Sequence, residues 1–157
     1  MERLTVGDKV PDIALPCTSG EECTLKEFHG KQVILYFYPK DATSGCTKEG
    51  QAFRDNYSKI KKLNAIVLGI SRDTLSSHLR FKEAQQFPFD LLSDKEEKFC
   101  TAFGVIKNKK MYGKDVRGIE RSTFLIDEKG KIIHEWRNVK VDGHVEEVIE
   151  RLHTLNK

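Results

Sequence analysis

Continuous apolar runs alternate with segments of helical periodicity from about residue 31 onward. The runs Val33–Tyr38 and Ala65–Ile70 are rich in β-branched and aromatic residues, as expected of strands covered on both faces. Between them, apolar residues recur at helical spacing and predict an amphipathic helix from Thr47 to about Leu63. This alternation is typical of strand–helix–strand units around a largely parallel sheet.

The same alternation continues after the second apolar run. Helical spacing predicts a second helix after Thr74, and Pro88 ends it before a short strand over Phe89–Leu92. The predicted apolar face of that helix consists of Leu75, Leu79, Phe81 and Ala84. A third helix is predicted from Lys95 to about Phe103.

The last part of the chain predicts a hairpin and a closing helix. Arg121–Asp127 and Lys131–Arg137 are predicted to be antiparallel strands around a glycine-containing turn, at one side of the sheet. The closing helix is predicted from the apolar residues Val145, Val148, Ile149, Leu152 and Leu155. With a small hairpin expected near the N-terminus, residues 1–157 are predicted to form one α/β domain with a central mixed sheet flanked by helices.

The composition narrows the class of protein. The chain has 27 Lys and Arg against 24 Asp and Glu, a formal net charge of +3. The densest basic cluster, Lys107–Lys110, is short and lacks interleaved aromatic residues, so it is predicted to be a solvated loop rather than a nucleic-acid surface. No apolar run approaches the roughly 18 residues of a membrane span, and the N-terminal residues lack an apolar signal segment. A cytoplasmic protein without nucleic-acid or membrane partners is expected.

The cysteines are spread along the chain as Cys17, Cys23, Cys46 and Cys100. They form neither a CxxC motif nor a grouping with histidines, which argues against a zinc site and against paired-cysteine redox chemistry. Free thiols in a reducing compartment are expected, with no metal and no cofactor.

Cys46 differs from the others because of its place in the pattern. It follows the predicted strand Val33–Tyr38 closely and lies beside the predicted start of a helix at Thr47. Main-chain N–H groups in the first turn of a helix have no intrahelical partner, and they favour the thiolate form of a cysteine placed among them. Because the thiolate is the nucleophile, the sequence predicts a reactive sulfur at Cys46.

The spacing of Pro39, Thr43 and Cys46 resembles the active-site signature of the peroxiredoxins, Pro-x-x-x-Thr/Ser-x-x-Cys. Further blocks resemble the bacterioferritin-comigratory-protein or Q-type branch of that family, in the same order: Tyr36–Asp41, Gly45–Thr47, Ser71–Asp73, Leu91–Asp94, Lys110–Lys114 and Arg121–Asp127. The resemblance spans nearly the whole chain. It implies a thioredoxin-like fold and a thiol-dependent peroxidase that reduces hydrogen peroxide and organic hydroperoxides in antioxidant defence.

The resemblance also implies roles for individual residues. Cys46 would be the peroxidatic nucleophile, oxidised to sulfenic acid by the hydroperoxide. Thr43 would hydrogen-bond thiolate and peroxide through its hydroxyl, and the Arg121 guanidinium would favour the thiolate and hold the peroxide oxygens. Pro39, which has no N–H, would shape the loop and shield the sulfur. Glu49 would either orient Arg121 or only stabilise the start of the helix.

Two other residues, His78 and Arg80, lie in a segment that resembles the family, yet the sequence supplies no chemical need for them near the sulfur. They are expected to be hydrogen-bonded in the interior or exposed. Ser44 stands where the branch commonly has proline, which should make the turn that carries the nucleophile easier to unwind.

A second, resolving cysteine is missing from both positions that the Q-type branch uses. One of these positions holds Gln51, and the other corresponds to the neighbourhood of Leu79–Ala84, which has no cysteine. Cys100 is the alternative resolving residue, although its neighbours predict a packed face. Cys17 and Cys23 flank a turn and could pair with each other.

A one-cysteine cycle is therefore predicted, in which an external thiol restores Cys46 through a mixed disulfide. Thioredoxin, glutaredoxin or a small thiol are the candidate reductants, and the protein is expected to be a monomer. A disulfide exchanger of the paired-cysteine type is disfavoured because Glu49 occupies the position of its second cysteine. A non-catalytic binding or chaperone module on the same fold stays open as an alternative function.

Overall fold

A central mixed sheet of five strands organises residues 3–155, the part of the chain that the computed structural model describes. The strands of the protein are β1 (Leu15–Pro16), β2 (Glu22–Cys23), β3 (Gln32–Phe37), β4 (Ala65–Ser71), β5 (Asp90–Ser93), β6 (Ile106–Met111), β7 (Lys114–Ile119), β8 (Ser122–Ile126) and β9 (Ile132–Trp136). The central sheet has the order β5-β4-β3-β8-β9. Strands β3, β4 and β5 are parallel, whereas β8 is antiparallel to both β3 and β9.

Helices pack against this sheet between the strands. They are α1 (Ser44–Asp55), α2 (Tyr57–Lys62), α3 (Leu75–Gln85), α4 (Lys98–Ala102) and α5 (His144–Leu155), together with a short 3-10 helix over Leu25–Phe28. The predicted mixed α/β architecture, the β8–β9 hairpin and the small N-terminal hairpin of β1 and β2 are confirmed. Within residues 3–155, no helix has the length and apolar character needed to cross a bilayer.

The sheet separates two hydrophobic cores, because successive side chains of a strand point to opposite faces. In β3 and the residue that follows it, Val33, Leu35 and Phe37 belong to one core, and Ile34, Tyr36 and Tyr38 belong to the other. The first core, under the N-terminal hairpin and α4, contains Cys17, Cys23 and Cys100. The second core, under α1, α3 and α5, contains Cys46. The cysteines are thus divided between the two faces.

Helix α1 begins earlier than predicted, at Ser44 rather than Thr47, so Cys46 lies inside its first turn. Thr43 precedes the helix with extended backbone angles (φ −81°, ψ 157°), and its carbonyl accepts the N–H of Thr47 at 2.9 Å. The predicted continuous helix is broken at Asn56, where ψ rises to 7° and separates α1 from α2.

The buried face of α3 also differs from the prediction. The structure buries His78 and Phe81, whereas Leu79 is 46% exposed and Ala84 is exposed. The face is rotated because the His78 ring is hydrogen-bonded in the interior, so it can replace an aliphatic side chain there. Helix α4 is shorter than predicted, and Leu155 at the end of α5 is 40% exposed.

The prediction of a loop at Lys107–Lys110 is wrong. These residues lie in β6, which pairs with β7 in a separate two-stranded antiparallel sheet. Their ammonium groups point away from any core, since Lys109 and Lys110 are exposed and Lys107 is half-buried. Main-chain pairing, rather than burial of apolar side chains, forms this hairpin. The pattern of apolar residues in the sequence therefore does not predict these two strands.

Candidate active site

Cys46 lies in the first turn of α1 and is 1% exposed. The strand β3 ends just before Pro39, and a short loop leads to Thr43, which precedes the helix. Main-chain N–H groups in the first turn of a helix lack intrahelical partners, and they favour negative charge placed beside them. The local order of strand, proline loop and helix start therefore brings a buried sulfur to an electropositive place.

Arg121 brings a permanent positive charge to this sulfur from a distant part of the chain. Its Nη2 lies 3.4 Å from Cys46 Sγ, and its Nη1 donates to Glu49 Oε1 at 2.6 Å. The main chain of Arg121 is itself held, since its carbonyl accepts the N–H of Val139 at 2.9 Å. One terminal nitrogen of the guanidinium thus contacts the sulfur, and the other donates a hydrogen bond to a carboxylate. Of the two roles open to Glu49, orienting Arg121 agrees with this contact.

Glu49 is a fully buried carboxylate on α1, with 0% exposure. Its Oε2 has no hydrogen-bond partner among the residues that the structure describes. Burial raises the pKa of Glu49 from 4.5 to about 7, although Arg121 acts in the opposite direction. The charge of Glu49, the ion-pair partner of Arg121, therefore changes close to neutral pH.

Because Glu49 is buried, we expect the free energy of unfolding to depend on pH. The substitution Glu49→Gln should remove this dependence. Between the ordinary pKa of 4.5 and about 7, folded Glu49 keeps a proton that the unfolded chain has released. The free energy of unfolding therefore falls as pH rises through this window. We expect the difference in stability between wild type and Glu49→Gln to fall by roughly 3 kcal/mol from pH 4.5 to 7.5, as measured by urea unfolding.

Glu150→Gln is the matched control, because Glu150 is an exposed carboxylate on α5. Its unfolding free energy should follow that of the wild type at every pH. Parallel curves for wild type and Glu49→Gln would show that Glu49 does not titrate in this window.

Gly45 allows the close approach of Arg121 to Cys46. A Cβ atom at position 45 would lie 3.2 Å from Arg121 Nη2 and 3.9 Å from a methyl carbon of Val141. The guanidinium must therefore shift if any larger residue replaces this glycine.

Gly45→Ala is accordingly expected to lower kcat/KM for hydroperoxide about tenfold, because the guanidinium is displaced from the sulfur. Stability should stay within about 0.5 kcal/mol of the wild type, since alanine is favourable in a helix. Peroxide consumption and thermal unfolding measure the two effects, with Ser44→Ala as the neighbouring exposed control. Full activity of Gly45→Ala would mean that the position of Arg121 does not limit the reaction.

Thr43 and Pro39 lie on the loop before α1, and both are exposed. The Thr43 hydroxyl donates to the Lys40 carbonyl at 2.8 Å, and no hydrogen bond joins it to Cys46 among the described residues. The expected bond to the sulfur is therefore not formed, because the hydroxyl closes the turn of its own loop instead. Pro39 lines a 340 Å³ cavity together with Lys40 and Ile119.

Three buried groups close to this site were not identified from the sequence. Tyr36 belongs to the same core as Cys46, and burial raises its pKa, with Glu49 and Cys46 acting in the same direction. His144, at the start of α5, accepts or donates a hydrogen bond with the Thr123 hydroxyl at 2.8 Å. Burial lowers the pKa of His144 to about 4, and Arg121 adds to the effect, so the ring is neutral at pH 7. The third group is Asp41, a buried residue of the loop.

The other three cysteines lie far from these contacts, in the core on the opposite face of the sheet. All four cysteines are free. Burial raises the pKa of the Cys100 thiol, and Asp94 adds to this effect. Burial together with the neighbouring Cys17 raises the pKa of Cys23 to about 12. The thiols of Cys23 and Cys100 are therefore poor nucleophiles, and the sheet separates all three cysteines from Cys46.

His78 and Arg80 are as expected. His78 is fully buried and hydrogen-bonded through both ring nitrogens, and Arg80 is exposed and donates to the Ser76 hydroxyl. Neither residue forms a hydrogen bond or an ion pair with Cys46 or Arg121 among the described residues.

A buried cysteine at a helix start, in contact with an arginine that directly precedes the antiparallel strand β8, defines a thiol peroxidase on a thioredoxin-like fold. Comparison with known proteins agrees. The model of the AhpC/TSA family matches residues 6–135. A putative peroxiredoxin bcp of Coxiella burnetii is 52% identical over 149 residues, which cover 95% of this chain and 99% of that protein. Peroxiredoxin Bcp of Bacillus subtilis is 46% identical, with 98% of both chains covered.

Solved structures lead to the same class. The bacterioferritin comigratory protein of Xanthomonas campestris superimposes with a TM-score of 0.89 at 45% identity, covering 93% of each chain. PrxQ of Xylella fastidiosa superimposes with a TM-score of 0.94 at 40% identity over 100% of both chains. The chain therefore belongs to the AhpC/TSA family, in its Bcp or peroxiredoxin Q branch, and is a thiol-dependent peroxidase. The prediction of the family and of the thioredoxin-like fold is confirmed.

Proposed function

We propose that the protein reduces hydrogen peroxide and organic hydroperoxides at Cys46 in a one-cysteine cycle. The observation that carries the proposal is the 3.4 Å contact between Arg121 Nη2 and Cys46 Sγ in the first turn of α1. An ionised sulfur needs a positive neighbour in a buried place, and the peroxide needs donors for the charge that moves onto its departing oxygen. The guanidinium and the N–H groups of the helix start meet both needs.

The oxidation step transfers one oxygen atom to the sulfur. The Cys46 thiolate attacks one oxygen of the hydroperoxide, the O–O bond breaks, and the second oxygen departs with a proton as water or alcohol. Cys46 is left as sulfenic acid. Arg121 stabilises the charge during this transfer, and Pro39 limits the access of water to the sulfur. Thr43 is proposed to reach the peroxide by turning its hydroxyl away from the Lys40 carbonyl.

The reduction step consumes two thiols from outside the chain. A first thiol attacks the sulfenic sulfur and releases water, which leaves a mixed disulfide with Cys46. A second thiol attacks that disulfide, frees the Cys46 thiolate and forms the oxidised reductant. Support for an external reductant comes from the position of Cys17, Cys23 and Cys100 in the other core. Thioredoxin, glutaredoxin and a small thiol are the proposed reductants, and a cytoplasmic monomer is the proposed form of the enzyme.

Mass analysis after one equivalent of peroxide tests the cycle. We expect the native protein and Cys100→Ser both to gain one oxygen atom, which a sulfenic-acid trapping reagent then labels at Cys46. Cys17→Ser and Cys23→Ser serve as matched controls and should behave like the native protein. A disulfide that disappears in Cys100→Ser would replace the one-cysteine cycle by the two-cysteine alternative. A protein that leaves peroxide intact would return the non-catalytic module to consideration.

A further inference from the structure

The lysine-rich segment Lys107–Lys110 lies in the hairpin of β6 and β7, and the peroxidase chemistry described above does not use it. The register pairs Lys109 directly with Val116. Because side chains alternate between the two faces of a strand, Lys107 and Lys109 share one face of the hairpin with Val116. Lys109 is exposed, Lys107 is half-buried and Val116 is 41% exposed. This face therefore presents two ammonium groups and an apolar side chain that the described part of the chain leaves partly uncovered.

The same face of the hairpin borders the loop that leads to Cys46. A cavity of 340 Å³ lies between them, and the loop contributes Pro39 and Lys40 to its lining. The hairpin contributes Ile119, the last residue of β7, which precedes Arg121 by two positions. Arg121 in turn contacts the sulfur. The cavity is therefore a neighbour of the active site.

The lining of this cavity is strongly positive. Five of its nine residues are basic and none of the nine is acidic. The basic residues are Lys40, Arg72, Lys107, Lys109 and Arg117. Glu97 neutralises part of this charge, since it accepts from Arg72 Nη1 at 2.9 Å and from Arg117 Nη2 at 2.6 Å. Within residues 3–155, the three lysines form no ion pair, so their charge is available to an anionic partner.

The loop side of the cavity is held in place by Asp41, the residue after Lys40. Asp41 is 7% exposed, and its carboxylate accepts hydrogen bonds from the Tyr38 hydroxyl at 2.6 Å and from the Ser77 hydroxyl at 2.8 Å. His78 Nδ1 lies 2.7 Å from the same carboxylate. The main chain that carries Lys40 is therefore fixed to helix α3, and its charge has a defined place beside the hairpin.

The surface around the cavity lies beside the exposed approach to Cys46. Residues 39, 40 and 42–44 are exposed, whereas Cys46 is buried, so a partner of the sulfur meets this loop first. Four residues that line the cavity form what we call the lysine surface: Lys40, Lys107, Lys109 and Val116. We propose that the lysine surface docks a protein dithiol reductant whose face around its own active sulfur is acidic. This inference rests on the proposed one-cysteine cycle, which needs a thiol from outside the chain.

The charges and the apolar side chains of the lysine surface have different tasks in such docking. Complementary charge accelerates the encounter of two proteins and orients them before contact. Val116 supplies apolar area between the ammonium groups, as the centre of an interface requires. The reductant would thus be brought to the loop beside the oxidised sulfur by charge and kept there by apolar contact.

A protein fits this surface better than a small anion or a nucleic acid does. Strand β6 has six residues and extends about 20 Å, and Tyr112 at its turn is 99% exposed. A small thiol would contact the cavity alone, whereas tyrosine side chains are enriched where proteins meet. A nucleic acid needs a continuous basic stripe, and on the other face of the hairpin Asp115 stands opposite Lys110.

The test compares two reductants of the same oxidised enzyme. Cys46 is oxidised with one equivalent of hydrogen peroxide and is then reduced by a thioredoxin of net negative charge or by uncharged dithiothreitol. For the double variant Lys107→Glu with Lys109→Glu, we expect the rate constant with thioredoxin to fall about tenfold at low ionic strength. The rate constant with dithiothreitol should stay within about twofold of the wild type. Added salt should lower the thioredoxin rate constant of the wild type more than that of the variant.

Two further variants separate the charge of the lysine surface from its structure and from the net charge of the protein. Lys107→Arg with Lys109→Arg keeps both charges and should keep the wild-type rate constant with thioredoxin. Lys59→Glu with Lys62→Glu makes the same change in net charge on α2, where both lysines are exposed. This matched control should also react with thioredoxin as the wild type does.

Several outcomes would overturn the inference while leaving the peroxidase intact. The glutamate variant of the hairpin could keep the wild-type rate constant with thioredoxin, or could lose the rate constants with both reductants in parallel. The control variant on α2 could slow the thioredoxin reaction equally, which would assign the effect to net charge. An equal loss with glutathione would assign the surface to a small anionic thiol.

Binding of a short DNA duplex that the glutamate variant of the hairpin abolishes would assign the surface to a nucleic acid instead. Failure of the proposed function is distinct from all of these outcomes, because the wild type itself would then not be oxidised at Cys46.

Discussion

Cys46→Ser protein is expected to consume hydroperoxide at least about 10⁴-fold more slowly than the wild type, because a serine hydroxyl is not ionised at neutral pH and does not attack the O–O bond. The substitution changes one buried atom in the first turn of α1, so the fold should be retained. Peroxide loss in the presence of a thiol reductant measures the rate, and circular dichroism checks the fold.

Cys100→Ser and Cys17→Ser are the controls for this experiment, since both residues are buried cysteines of the other core. They should keep most of the activity at the cost of some stability. Rapid turnover by Cys46→Ser would move the reaction to another cysteine. It would also remove the basis for every role assigned here to Arg121 and Glu49.

Arg121→Gln is expected to lower kcat/KM for hydroperoxide about 10²-fold, the second largest effect. The substitution removes the positive charge 3.4 Å from Cys46 Sγ and leaves Glu49 buried without an ionic partner. Arg121→Lys keeps a charge but loses the planar fork that contacts the sulfur and the carboxylate together, so it should restore only part of the rate. Alkylation of Cys46 at pH 7 should slow in the same order as the peroxidase rate.

Arg151→Gln provides the matched control for Arg121, because Arg151 is an exposed arginine on α5. Its kinetics should be those of the wild type. The double variant Arg121→Gln with Glu49→Gln should lose less stability than the sum of the single changes, since the two side chains form one ion pair. An Arg121→Gln enzyme with wild-type kcat/KM would leave the helix start as the sole stabiliser of the thiolate.

Much of the fold follows from the sequence because the central strands are long apolar runs covered on both faces. The strands predicted from Val33–Tyr38 and Ala65–Ile70 are β3 and β4 of the sheet. The hairpin of β6 and β7 could not be predicted in the same way, since its lysines pair along the main chain and cover no core. The prediction of which face of α3 is buried was also wrong, because the burial of His78 depends on its hydrogen bond with Asp41, which lies outside this helix.

The candidate site, like the fold, could be predicted from the sequence only in part. Local features, namely a cysteine at a helix start after a proline loop, pointed to Cys46 directly. Its partner Arg121 came from the resemblance to the family, because the two residues are 75 positions apart and no spacing rule links them. The complete burial of Glu49 and the network around Asp41 depend on side chains from several elements. Such contacts are decided by packing and are visible only in three dimensions.

In the proposed one-cysteine cycle, the division of the cysteines between two faces of the sheet sets the number of peroxide molecules that each chain can reduce unaided. A chain whose other thiols cannot contact the oxidised sulfur stores only the two oxidising equivalents of one peroxide molecule. Without a supply of reducing agent, each copy removes one molecule of peroxide and then stops, and a second molecule can only drive the sulfur irreversibly to sulfinic acid. Sustained detoxification is then limited by the delivery of electrons from the cell, not by the number of cysteines in the protein.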